Sequence, residues 1–320
     1  HIGVNFTSAE LTLQLDDFAE RVLKPRVSQL ASSVDADVAT AYKGIYNSVG
    51  TPGTTPATSL VLLQAQQKLN EFATPMNPRY ATVNPAANAG LVEGLKGLFN
   101  PTGTISRQFK NGMMGEGVLG LDEINMSQSI VQHTTGVTPT LPIVATAVST
   151  QGSTSLAISF TSGSPTFKIG DVFTIASVYA VNPQTRQTTG SLQQFVVTAD
   201  VTVSSTTTAT LTVQPPMYTS TNALATINAF PAASAVLTFL GGSATAYPQN
   251  LIYHKDAITL ATADLLLPQG VDMASRQVHN GISLRIVRQY DINNDRMPCR
   301  VDVLYGFAAI RPVTAVRLWG

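Results

Sequence analysis

Charge is what this sequence has least of. Asp, Glu, Lys and Arg together make up 12% of its 320 residues, about half of the roughly 25% usual in soluble domains. So few charges give a lone monomer little protection against association. The composition suits a chain whose faces are covered by partners, although a secreted protein rich in Ser and Thr would look similar. The few charges balance, 19 basic against 19 acidic. A dedicated nucleic-acid binder needs a basic footprint, so no sequence-specific nucleic-acid binding is expected. Cysteine occurs once, at Cys299, which excludes an intramolecular disulfide. In a predicted strand it reads as a small buried hydrophobe rather than a reactive thiol. No apolar run reaches the roughly 18 residues of a membrane span, so no membrane partner is expected. The first residue is His1 and no signal peptide is visible, so the sequence is expected to be a fragment or a processed product that starts inside a larger domain.

Chemistry is equally scarce. The histidines, His1, His133, His254 and His279, stand far apart and form no HxxxH or HExxH pattern, and each reads as an ordinary exposed or satisfied side chain. Asp16 and Asp17 precede Phe18 near the start of a predicted helix, where they favour its N-terminal dipole. Asp122 and Glu123 are adjacent, so in a strand they face opposite sides, which is wrong for a shared acid–base task. GMMGEG, residues 112–117, lacks the spacing of a phosphate loop, and no GxSxG elbow occurs. The sequence nominates no catalytic, cofactor-binding or metal-binding residue, and no cofactor.

What is present divides by charge. Residues 134–250 hold four charged side chains, Lys168, Asp171, Arg186 and Asp200, and the rest lie in the flanks. The same region carries the runs SLAISF, DVFTIASVYAV, LQQFVVTADVTV, TATLTVQ and AVLTFL, separated by Gly, Pro and Asn. Short, regularly spaced apolar strands of this kind indicate an antiparallel barrel or sandwich. In the N-terminal flank Leu15, Phe18, Val22, Leu30, Val34, Val38, Ala41, Tyr42, Ile45 and Val49 keep helical spacing. They predict one helix over 15–49, roughly 50 Å long, kinked at Pro25 and stopped by Gly50 and Pro52. A second helix is predicted from Thr55 and Pro56 to about Phe72. RYATVNP then reads as a buried strand, and PAANAGLVEGLKGLF as a third helix with Leu91, Leu95 and Leu98 on one face. A helix over 254–266 is predicted next. It is followed by a hairpin in which Ile282, Leu284 and Ile286 alternate with Ser283, Arg285 and Val287 against the strand opening at Cys299. Gly306 and Pro312 are expected to break that last stretch.

Four segments, in this order, resemble one family, the major coat proteins of short-tailed bacteriophages with an inserted β domain. They are LGLDEINMSQSIVQHTTG (119–136), GDVFTIASVYAVNPQTRQTTGSLQQFVVTADV (170–201), NLIYHKDAITLAT (250–262) and LYGFAAIRPVTAVRL (304–318). The resemblance implies an α+β chain in the tailed-phage and herpesvirus major-capsid fold. It would comprise a peripheral domain with a spine helix at 1–54, an axial domain at 55–136 returning at 250–277, an inserted antiparallel β-barrel at 137–249, and closing strands at 278–320. The family's N-terminal arm and extended loop are not evident. The implied function is a major capsid protein that assembles as pentamers and hexamers into an icosahedral shell around double-stranded DNA. Its partners would be itself, a scaffolding protein, a portal protein and a decoration protein; its place is the virion, assembled in the bacterial cytoplasm. Two rival readings are a secreted or surface β-rich adhesion or carbohydrate-binding protein, and an enzyme. Arg186, in the loop NPQTRQTTG, is the candidate intersubunit contact, and Trp319, the one tryptophan, a candidate packing or contact residue. Residues 299–319 are expected to be ordered and sheet-paired.

Overall fold

The computed structural model describes residues 1–7, 24–94, 115–204, 206–279 and 282–320. These residues are mostly β with few helices, rather than the α+β expected, and they form two compact units. One comprises His1–Ala39 and Thr259–Ala308, the other Thr40–Ile258 and Ala309–Gly320. These divisions fall elsewhere than the sequence boundaries after residues 54, 136, 249 and 277.

The smaller unit is a five-stranded sheet and a helix. Ile2–Thr7, Arg296–Ala309, Ile282–Arg288 and Met273–His279 lie side by side in that order, with Ile258–Ala263 also paired to Arg296–Ala309. The helix Lys24–Ala39 carries Val27, Leu30, Ala31, Val34 and Val38 along one stripe. That stripe and Leu260, Ile282, Leu284 and Val303 of the sheet line a space of about 330 Å3. The other sheet face is largely exposed, with one buried charge on it. Asp302, opposite Arg285 in the register, is buried, accepts from Arg285 Nη2 at 2.6 Å and also pairs with Arg300. Burial alone would raise the Asp302 carboxyl, but the hydrogen bonds and charges of Arg285 and Arg300 outweigh it and hold it below its ordinary value.

Four expectations are corrected here and in the larger unit. The helix does not continue from Ala39 to Val49. Thr40–Gly44 is a tight 3-10 turn, and Ser48–Val49 is a strand, because Tyr42, Asn47 and Ser48 each hydrogen-bond to residues far along the chain. Residues 15–23, like Leu95 and Leu98, lie outside the described residues. The second helix is Ser59–Glu71, so Thr55 and Pro56 precede it. Residues 254–266 hold no helix: Ile258–Ala263 is a strand, as its β-branched Ile and Thr residues prefer. Gly306 does not interrupt Arg296–Ala309; the break comes at Ile310 and the turn Pro312–Thr314.

The larger unit contains a mixed six-stranded sheet in the order Ser48–Val49, Ala315–Leu318, Asn250–His254, Arg79–Val83, Leu121–Met126, Gly115–Val118. Two of its neighbouring pairs are parallel. Leu62, Ala65 and Leu69 of Ser59–Glu71, with Ala87 and Leu91 of Pro85–Gly94, cover one face over Ala81, Val83, Ile124, Ile252, Val316 and Leu318. Tyr42, Ile45 and Ala257 cover the other over Leu251 and Ala315. A strand covered on both faces reads as a continuous apolar run, and all four residues of Ala315–Leu318 are buried. The residues that follow are held as well: Trp319 N–H donates to Val49 O at 2.9 Å and Gly320 N–H to Thr54 O at 3.0 Å. Gly50 lets the last turn close, since a Cβ there would lie 2.2 Å from Trp319 O and its φ is +92°.

Each of the five β-like runs of the middle region supplies a strand to a second six-stranded sheet, antiparallel throughout. Its order is Leu237–Phe239, Val172–Val181, Thr188–Val197, Thr208–Met217, Ser153–Ser159, Ile143–Val144. The two ends meet: Val144 N–H donates to Ala235 O and Leu237 N–H to Pro142 O, both at 2.9 Å, so the sheet is a nearly closed barrel. Phe173 stacks on Phe195 at 5.8 Å and meets Phe239 at 5.2 Å in its core, among Leu156, Ile158, Leu211 and Val213.

Asp302→Asn is expected to lower unfolding stability at pH 7 by about 2 kcal/mol, because two arginines lose a charged acceptor. A carboxyl depressed in the fold contributes above its unfolded pKa of about 4 and loses that contribution as pH falls through its folded value. The gap between wild type and variant, measured by chemical denaturation, should therefore be constant near neutrality and shrink below about pH 4.

Candidate functional site

Among the described residues, no group of three or more His, Cys, Asp or Glu side chains could hold a metal ion. The most concentrated polar chemistry is buried where the barrel meets the mixed sheet. Tyr42 Oη lies 3.0 Å from His133 Nδ1, and His133 Nε2 lies 2.8 Å from Asp171 Oδ1. The second carboxylate oxygen, Asp171 Oδ2, accepts from Lys168 N–H at 2.8 Å and Gly136 N–H at 3.1 Å. Arg317 completes the group. Its guanidinium sits 5.1 Å from the centre of the Tyr42 ring, and its Nη1 donates to Gly170 O at 2.7 Å. Arg317 is 0% exposed; burial pushes its pKa down, while Tyr42 and Asp171 oppose that shift. The Tyr42 hydroxyl is pushed up by burial, against Arg317.

Local sequence places each group. Gly170 and Asp171 form the tight entry to Val172–Val181, with Gly170 at φ +103°. His133 sits in Gln132–Thr134, which pairs with Ala246–Pro248, so the chain enters and leaves the barrel region side by side. Gly136 has no room for a side chain, since a Cβ would lie 1.7 Å from Thr166 O. A hydroxyl, an imidazole and a carboxylate in a row resemble a proton relay, but all three side chains are buried, and a reacting centre must be reachable by substrate. The arrangement is a lock.

Two further contacts join the same layers. Gln194 Oε1 accepts from Ser48 N–H at 2.7 Å and Lys68 Nζ at 2.6 Å, and its Nε2 donates to Ser48 O at 3.0 Å. Burial lowers the Lys68 ammonium to about 8, with Glu71 opposing. Asn182 Nδ2 donates to Glu71 O at 2.7 Å, and Tyr46, Val172, Val196 and Val313 pack beside these polar contacts.

The residues singled out from sequence fall as follows. Arg186 is exposed at the tip of the 182–187 turn at φ +57°, its N–H donating to Asn182 O at 2.8 Å. Trp319 is 5% exposed, and its indole Nε1 has no partner among the described residues. Cys299 is buried, and burial raises its thiol against the opposing charge of Arg288. His254 Nδ1 accepts from Asp256 N–H at 3.3 Å, and Asp122 Oδ2 accepts from Arg79 N–H at 2.7 Å. The structure brings Arg186 and Trp319 to no common site. Asp16, Asp17 and residues 112–114 lie outside the described residues. The lock itself was missed. The one signal for it was Asp171, a rare charge at the mouth of an otherwise uncharged β run.

The family model described as "P22 coat protein - gene protein 5" matches residues 1–320. No curated protein matches the sequence. Among solved structures, one titled "Mycobacterium phage Che8" aligns with TM-score 0.45 and 11% identity, over 99% of this chain and 69% of that one. The capsid structure of the cyanophage P-SCSP1u aligns with TM-score 0.42 and 12% identity, over 99% and 70%. The CUS-3 coat protein I-domain aligns with TM-score 0.25 and 26% identity, over 33% of this chain and 98% of that one.

Asp171→Asn is expected to destabilise the larger unit by about 3 kcal/mol, since it leaves a buried guanidinium without its counter-charge. Adding Arg317→Met should recover part of that loss. Additive effects of the two changes in a denaturation double-mutant cycle would show that they do not act as a pair.

Proposed function

The chain belongs to the P22 coat protein family and is a capsid-forming structural protein; on that footing we propose that its copies associate as pentamers and hexamers into an icosahedral shell enclosing double-stranded DNA. The observation that carries this is the family match over residues 1–320, and it displaces the adhesion and carbohydrate-binding alternative. The role is structural rather than enzymatic. A shell built from one kind of chain needs repeated heterologous contacts, and interface cores are depleted in charge. The 12% charge content and the zero net charge suit both demands. Neutrality also suits a wall that contains DNA without gripping it, because phosphate contacts hold by counterion release.

In this reading the helix Lys24–Ala39 is the described part of the spine, and the unit of His1–Ala39 and Thr259–Ala308 is the peripheral domain. The axial domain is the mixed sheet and its covering helices in the unit of Thr40–Ile258 and Ala309–Gly320, and the barrel at 137–249 is the inserted domain. Scaffolding, portal and decoration proteins are its partners, and assembly takes place in the host cytoplasm before the chain resides in the virion. Trp319 serves intrachain packing first, as its burial supports. Arg186, exposed on a turn that Asn182 braces, contacts a neighbouring subunit.

Mass spectrometry of purified virions tests the assembly reading. This chain is expected as the most abundant protein, and sedimentation of the expressed chain should show species far above 33.8 kDa. A chain absent from virions would overturn it. Arg186→Ala is expected to lower the temperature at which shells break up by a few degrees. One exposed pair contributes only about 0–1 kcal/mol, but the loss recurs at every copy. Shells of unchanged stability and size would remove Arg186 from the interface.

A further inference from the structure

The larger unit carries an open groove of about 630 Å3. Its walls include Phe72, Tyr218 and Pro312, and Leu224 and Ile310 belong to it although they are 65% and 61% exposed. Arg311 is the one charged residue in the lining. Gln193, 1% exposed, also lines it. Its Nε2 donates to Gln194 O at 2.7 Å, but its Oε1 has no partner among the described residues. An open, nearly uncharged groove edged by exposed Leu224 and Ile310 is a place for an apolar occupant.

The smaller unit carries a feature of opposite shape. Between Ile258–Ala263 and Met273–His279 the chain makes a loop, 264–272, on which Leu266 is 86% and Leu267 46% exposed. Arginines of the adjoining strands hold this loop. Arg285 Nη1 donates to Leu266 O at 2.5 Å and Arg276 Nη1 to Leu265 O at 3.4 Å, while Arg276 and Arg288 pair with Asp264 and Asp272 at 3.4 Å and 3.1 Å. With its carbonyls and both feet pinned, the loop presents its leucines outward and has little freedom left to lose on binding.

We propose that the groove receives the Leu266–Leu267 crown of a second copy of this chain, a head-to-tail contact that uses two different patches of each subunit. The proposal rests on the reading of the chain as shell-forming. Such a contact repeats from copy to copy and closes where rotation permits. An apolar crown suits the nearly uncharged groove, whose exposed Leu224 and Ile310 it would cover.

The test mixes two single variants, Leu266→Cys and Ile310→Cys, assembles them together, and treats the shells with a short bismaleimide. Cross-linked dimers are expected in the mixture and not in either variant alone, since Cys299 is buried. Shells that form without the dimer overturn the contact and leave the capsid reading intact. Cross-linking of the groove cysteine to any other protein overturns it too. Failure of the wild-type chain to form shells overturns the capsid reading instead. As a second measurement, Leu224→Asp and Leu266→Asp should each cut shell yield by about ten-fold with the thermal unfolding of the free chain unchanged. Wild-type yield from either variant overturns the contact.

Discussion

A fully buried guanidinium is costly unless acceptors and nearby negative charge offset its lost hydration. Around Arg317 one carbonyl, one aromatic ring and the charge of Asp171 do so, while its Nε and Nη2 have no partner among the described residues. Arg317 stands on Ala315–Leu318, inside a sheet covered on both faces. Its reach across to Gly170 O and its seat on the Tyr42 ring fix where the barrel's first long strand can begin. Asp171, next in sequence, supplies the negative charge and passes the constraint to His133 and Gly136. Four segments distant in sequence thus share one site. Moving any of them strands a polar group away from water.

The barrel and the mixed sheet are each held by ordinary apolar cores, which supply most of the folding free energy. The contacts between them combine the small apolar cluster of Tyr46, Val172, Val196 and Val313 with polar contacts: the Asp171 lock, the Gln194 bridge to Ser48 and Lys68, and the Asn182 bond to Glu71. Polar contacts of this sort add modest net stability, but they tolerate one geometry and penalise others. The layers are therefore joined with a defined orientation, which a surface-patch contact between copies needs if its repeats are to be identical.

How far the sequence could be read depended on how local the decisive forces are. The barrel strands were legible because alternation, β-branched residues and the near absence of charge all point one way between Ser153 and Phe239. The family was legible from four ordered segments. The helix was overextended because Tyr42, Ile45 and Val49 keep helical spacing although their partners are His133, Ala315 and Leu318, which no local pattern encodes. Ile258–Ala263 misled for the converse reason, since a short apolar run fits both periods. The Tyr42–His133–Asp171–Arg317 site was illegible as a group, because apart from Asp171, a rare charge in its region, each member is a single residue with an unremarkable neighbourhood. Only the topology brings them together.

Closure of the barrel has a consequence for a protein that works by associating. An open sheet offers its outer strand as a template to any passing strand, and backbone pairing of that kind ignores side chains. With Val144 bonded to Ala235 and Leu237 to Pro142, the most strand-rich part of this chain has spent those backbone groups internally. At that seam copies have little to offer one another except side-chain surfaces, so an encounter there is decided by shape rather than by backbone pairing.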